Sequence, residues 1–204
     1  MAFRADSTTL PRIGVTGVTG AVGGAVARLV SAPGRPVRFL LRDVSRLPHL
    51  GDVDGESEVA VAEYGAPDAA AALDWAQTIK PEARACWVAG FSFGAWIGMQ
   101  LLMRRPEIEG FISIAPPANL YDFSFLAPCP SSGLIVHGDK DAVVPHKDVT
   151  GLVEKLKTQK GIIIEQKVIP GANHFFDARV DMLMQSVSEY LDKRLNIERK
   201  VEAT

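Results

Sequence analysis

Short, mostly apolar runs alternate from end to end of the chain with stretches whose apolar positions recur every three to four residues. Runs of the first kind are the mark of strands covered on both faces, as in a parallel sheet, and the second kind marks helices with one buried side. The strand-like runs fall at 13–16, 37–41, 59–62, 86–89, 110–114, 134–137 and 162–168. Helical spacing is found at about 22–30, 67–79, 95–105, 147–158 and 180–195. In the last of these Val180, Leu183, Met184, Val187 and Leu191 share one face, which predicts a closing surface helix. This alternation predicts an α/β fold: a three-layer αβα sandwich around a doubly wound, mostly parallel sheet of about six or seven strands. No repeat or linker divides it, so a single domain over 1–204 is expected, with segments at 1–72 and 73–195 and a charged tail, 196–204, expected to fray.

Composition narrows the function classes. The chain has 204 residues, of which 47% are hydrophobic and 23% charged, with a formal charge of -2. That is an ordinary globular balance, and without a basic stripe no nucleic-acid partner is expected. The apolar runs fall far short of the roughly 20 residues that span a bilayer, so no membrane partner is expected. The first residues, MAFRADSTTLPR, lack the apolar run of a signal peptide, and a cytoplasmic location is the expectation. Cys86 and Cys129 make neither a disulfide framework nor a zinc site, and no metal is expected.

The sharpest chemical signal is Gly90-Phe91-Ser92-Phe93-Gly94. A serine hydroxyl is a poor nucleophile until a base takes its proton, and the base needs a carboxylate to orient it. A strand (CWVAG) leads into Ser92 and a helix (FGAWIGMQLLMRR) leaves it, the tight turn that lifts a nucleophile above a sheet. Asp141, in HGDKDAVVP, and His174, in PGANHFF, each follow a strand, so all three groups are expected at one sheet edge. Asp139 competes with Asp141 for the orienting role, either aspartate could instead cap a helix, and His174 could be a surface turn residue. The backbone N–H of Phe93 is the candidate oxyanion donor. From about Ala72 to Leu195 the chain resembles α/β-hydrolases of the dienelactone-hydrolase-like and small bacterial esterase type, on the residues ALDW, CWVAGFSFGAWIGMQLLMRRPEIEGFISIAPP, YDFSFLAPCPSSGLIVHGDKDAVVP and GANHFF. The resemblance implies Ser92 as nucleophile, Asp141 as acid and His174 as base, acting on small-molecule esters without a cofactor. Dienelactone hydrolases proper carry cysteine at the nucleophile position, so the serine argues against that particular reaction.

A second motif points elsewhere. The turn IGVTGVTGAVGG follows a strand and opens a helical pattern, where Gly17, Gly20 and Gly23 could admit a pyrophosphate to backbone N–H groups. Arg42, at the end of the next strand, could take a 2'-phosphate and favour NADP. Glycines that merely permit a tight turn are the plain alternative. With GRPVRFLLRDVSRLPHLGDV, this stretch resembles the NmrA-like short-chain dehydrogenase/reductases over about the first 70 residues, which implies a Rossmann-like nucleotide site. The catalytic Tyr-x-x-x-Lys of reductases is missing: Tyr64, Tyr121 and Tyr190 are followed four residues on by Asp68, Phe125 and Arg194. The resemblance changes partner near Ala72 to Asp74, so the chain reads as a chimera with strand order 3-2-1-4-5-6-7. The histidine- and glycine-rich loop that gives hydrolases a second oxyanion donor has VTGAVGG in its place. The alternatives to a hydrolase are thus an NADP-binding regulator and a folded scaffold with neither activity.

Overall fold

A computed structural model describes residues 12–16, 37–41, 58–61, 66–79 and 86–202. Seven parallel strands are present: β1 (Arg12–Thr16), β2 (Val37–Leu41), β3 (Glu58–Val61), β4 (Cys86–Phe91), β5 (Ile108–Ile114), β6 (Ser132–Gly138) and β7 (Ile164–Ile169). They are hydrogen-bonded in the order β3-β2-β1-β4-β5-β6-β7. The described helices are α1 (Ala66–Ile79), α2 (Phe93–Arg104), α3 (His146–Lys157) and α4 (Val180–Glu202).

The expectation of a doubly wound sandwich of six or seven strands is corrected by what these residues build. From Cys86 onward, where the description is continuous, the unit is a four-stranded parallel sheet in sequential order, β4-β5-β6-β7, flanked by helices and without a reversal of strand order. Strands β1 to β3, four or five residues each, pair beyond β4, and the residues connecting β1 to β2 and β2 to β3 lie outside the described ones. Hydrophobic periodicity specifies which segments are strands or helices. It does not specify the sense in which crossovers wind, and that is where the reading overreached.

Strand alternation divides the core into two layers. Trp87, Ile112, Leu134 and Val136 face α4, whose Leu183, Val187 and Leu191 recur every fourth residue and are buried. Val88, Phe111 and Ile135 face the opposite side, against Ile97 and Leu101 of α2 and Val149, Leu152, Val153 and Leu156 of α3. The expected closing helix runs on to Glu202, past the expected end at Leu195. Near the join inferred from the sequence, Arg105 pairs with Asp74 of α1 and with Glu107. Gln77 donates to Glu107 at 2.9 Å, which fastens α1 to the α2–β5 turn.

Candidate active site

The carboxyl ends of β4, β6 and β7 each carry one of the three groups singled out in the sequence. Strand β4 stops at Phe91 and α2 starts at Phe93, leaving Ser92 alone at the turn with φ 53° and ψ -121°. That backbone is one an L-residue seldom adopts, and surrounding contacts must hold it. The Ser92 N–H donates to the Ile114 carbonyl at 2.8 Å, and the Ala95 N–H donates to the Ser92 carbonyl at 2.9 Å, so sheet and helix each grip one end. Gly90 makes the turn possible, because a Cβ there would lie 2.3 Å from the Gly94 carbonyl oxygen.

A single hydrogen-bonded line joins the three side chains. His174 Nε2 lies 3.0 Å from Ser92 Oγ, and His174 Nδ1 lies 2.8 Å from Asp141 Oδ2. Asp141 is fixed from behind: its Oδ1 accepts from the N–H groups of Val143 at 2.8 Å and Val144 at 2.7 Å. With two N–H donors on one oxygen and its side chain fully shielded from solvent, the carboxylate is satisfied as an acceptor. Nδ1 of His174 therefore carries the proton, leaving a lone pair on Nε2 toward Ser92. Asp139, the other candidate for the orienting role, is placed elsewhere: its Oδ1 accepts from the Gly171 N–H at 2.6 Å and braces the β7 loop.

Two features that hold the line together were not singled out from the sequence. The first is Gly138, at the end of β6, where a Cβ would lie 2.1 Å from the Ala172 carbonyl oxygen. Only glycine lets the Asp141 loop come this close to the His174 loop, and Lys140 N–H then donates to the same carbonyl at 3.0 Å. The second is Asn173, whose Oδ1 accepts from the N–H groups of Phe175 and Asp177, each at 3.1 Å, winding the chain tightly around His174. Phe176, fully buried in the α4-side core, anchors that turn. Both residues stood in motifs already noted, HGD and GANHFF, but their tasks depend on contacts across the sheet edge.

Beneath the site, His137 is fully buried on β6. Burial, and next the proximity of His146 with its ring centroid 4.9 Å away, push its pKa down to about 4. Its Nε2 accepts from the Gln166 amide at 2.9 Å, as a neutral imidazole can. Beside the site a groove of about 640 Å³ lies between the loop after β5 and α3, bounded among others by Tyr121, Asp122, Phe123, Lys147 and Lys155. The loop expected at 121–132 to shape a pocket does form one wall, although Ser92, Asp141 and His174 do not line it.

Gly17, Gly20, Gly23 and Arg42, the NADP candidates, lie outside the described residues. Among the described residues no group of three His, Cys, Asp or Glu side chains could hold a metal ion. None of the described helices is long and apolar enough to cross a membrane.

Comparison with known proteins follows the same lines. A crystal structure from Agrobacterium tumefaciens, of a protein of unknown function proposed to be an alpha/beta hydrolase, is 49% identical with a TM-score of 0.78, covering 97% of this chain and 90% of that one. One relative thus spans both segments that the sequence reading had divided between two families. An alpha-beta serine hydrolase homologue from Coxiella burnetii is 26% identical with a TM-score of 0.67, covering 90% of this chain and 85% of that one. An uncharacterized protein of Rickettsia prowazekii is 47% identical over 146 residues, which are 70% of this chain and 60% of that protein. The chain therefore spans about three-fifths of the length of that curated relative. The model of the Dienelactone hydrolase family matches residues 53–196, well over half the chain and with all three site residues inside it, and the chain belongs to that family.

Proposed function

We propose that the protein is a serine hydrolase that cleaves small-molecule acyl esters through an acyl-enzyme. The observation that carries this reading is the unbroken line from Ser92 Oγ through His174 to Asp141. In the first half-reaction Ser92 Oγ attacks the ester carbonyl carbon as its proton passes to His174 Nε2. The tetrahedral oxyanion is stabilised by the Phe93 N–H at the first position of α2, where the positive end of the helix dipole adds to the donor. Collapse breaks the bond to the leaving oxygen, which takes the proton from His174 Nε2 and departs as an alcohol. Water then repeats the sequence on the acyl-enzyme: His174 takes its proton, the acid leaves, and Ser92 is returned protonated. Asp141 stays ionised throughout, holding the imidazole and offsetting its transient positive charge.

Turnover of short-chain p-nitrophenyl esters tests the reading. Saturable hydrolysis by the wild type and its loss, by about a thousandfold or more, in Ser92→Ala are expected. A Ser92→Ala variant that retains wild-type turnover would overturn it.

A further inference from the structure

The residues on either side of the nucleophile, Phe91 and Phe93, each belong to a separate aromatic group. On one side the Phe91 ring lies 5.2 Å from the His174 ring and 6.4 Å from that of Phe175, and Phe175 meets His174 edge-on at 5.2 Å. On the other side the Phe93 ring lies 5.7 Å from Trp96 and 5.5 Å from Tyr121, with Trp96 and Tyr121 4.8 Å apart. Core packing requires neither outer ring, since Phe175 is 54% exposed and Tyr121 38% exposed. Large apolar surface left in water at the mouth of a polar site is a mark of ligand contact.

We propose that these are two specificity subsites, Phe91 and Phe175 for the leaving group and Phe93, Trp96 and Tyr121 for the acyl chain, so that the substrate is a neutral ester with an apolar group on each side of the scissile bond. The inference rests on the serine-hydrolase reading, and the assignment of sides follows from its chemistry. His174 Nε2 must deliver a proton to the leaving oxygen, so the leaving group lies on the histidine side, where Phe175 and Phe91 flank the imidazole. The acyl group lies on the far side of Ser92, toward Phe93.

Both surfaces are held in place before any substrate arrives. Trp96 Nε1 donates to the Asp122 carbonyl at 3.0 Å, and the Asp122 carboxylate accepts from Ser124 N–H at 2.8 Å and Ser124 Oγ at 2.6 Å. Asn119 ties the same loop to the Val143 carbonyl at 3.0 Å, beside the Asp141 turn. On the histidine side the nearby charges are engaged with the protein. Arg179 donates to the carbonyls of Pro170 and Ala178, and Asp177 accepts from the Asn173 amide. The Phe91 and Phe175 rings that flank the imidazole suit an uncharged aryl or alkyl group on the leaving-group side.

Two selectivity ratios of kcat/KM, measured on wild type, Phe175→Ala, Tyr121→Ala and Tyr121→Phe, test the proposal. One compares phenyl acetate with ethyl acetate and reads the leaving group; the other compares phenyl hexanoate with phenyl acetate and reads the acyl chain. Because each variant is compared with wild type, the intrinsic reactivities cancel. Phe175→Ala is expected to lower the first ratio about threefold to tenfold and leave the second within a factor of about two. Tyr121→Ala is expected to do the reverse, and Tyr121→Phe to keep wild-type ratios, since the ring and not the hydroxyl is invoked. Ratios that stay unmoved, or one ratio moved by both alanine variants, overturn the two-subsite assignment while leaving the hydrolase reading intact. A wild type that cleaves none of the esters overturns both.

Discussion

Replacing Asp141 by Asn isolates the orienting role, because the structure dictates how the new amide must sit. Oδ1 of Asp141 faces two backbone donors, the N–H groups of Val143 and Val144 at 2.8 and 2.7 Å. An amide NH2 turned toward those donors would be a buried donor clash, so the Asn carbonyl takes the Oδ1 place. Its NH2 then faces His174 Nδ1, now 2.8 Å from Asp141 Oδ2. A donor opposite Nδ1 forces the other tautomer, with the histidine proton on Nε2, pointing at Ser92 Oγ across 3.0 Å. The base has then lost the lone pair it needs. A wrong tautomer of this kind in a buried triad costs on the order of 10⁴ in kcat, or about 5.4 kcal/mol at 1.36 kcal/mol per tenfold. Steady-state kinetics on p-nitrophenyl acetate, with a melting curve for each protein, would measure this. Asp141→Asn should lose about four decades of kcat with little change in KM, and unfold cooperatively within a few degrees of wild type. A loss below about tenfold in a folded variant would refute the tautomer argument.

Further expectations follow from the same contacts. Ser92→Gly should raise the melting temperature by about 2–4 °C, roughly 1 kcal/mol, by relieving the positive φ at the turn, whereas Ser92→Ala should not; equal melting points would show that no strain is stored there. Gly138→Ala should destabilise the fold by about 2 kcal/mol or more and cut kcat over tenfold, because its Cβ must push the Ala172 carbonyl and part the two triad loops; wild-type kcat would count against this positioning role. His137 gives a pH signature of definite sign. Its folded pKa, about 4, lies below the unfolded value of about 6.5, so the unfolded state binds its proton first as pH falls. The full contribution of the neutral ring is present above pH 6.5, and about 3 kcal/mol is lost by pH 4. Denaturant titrations across that range should show a shallower loss in His137→Gln than in wild type, and parallel curves would contradict the assignment.

Much of the fold was legible because local patterns specify local structure. Val37–Leu41 was read residue for residue, and α3 was placed within one residue at each end, because four apolar positions recur on one face between a proline turn and a polar exit. The order β4-β5-β6 across Cys86–Gly138 follows from short connections, which leave consecutive strands adjacent in space. The winding was misread, since an amphipathic stretch does not state which face of a sheet it covers. The residues of the proposed triad could be singled out because each sits in a glycine-marked turn just after an apolar run. Choosing Asp141 over Asp139 was not decided by the residues alone, as the two differ only in which side of one loop they face. Phe175 and Trp96 were invisible for the same reason: an aromatic side chain next to a motif reads as core until its exposure and ring contacts are known. Gly138 acts through a contact with Ala172, and no spacing rule relates those positions.

The most direct test of the central claim is the intact mass of the protein after incubation with a fluorophosphonate, which phosphonylates only a serine whose hydroxyl is activated. One adduct per chain on the wild type, absent from Ser92→Ala and formed at least a hundredfold more slowly in Asp141→Asn, is the predicted result. An unlabelled wild type with a cooperative melting transition would contradict the claim that Ser92, His174 and Asp141 work as a triad.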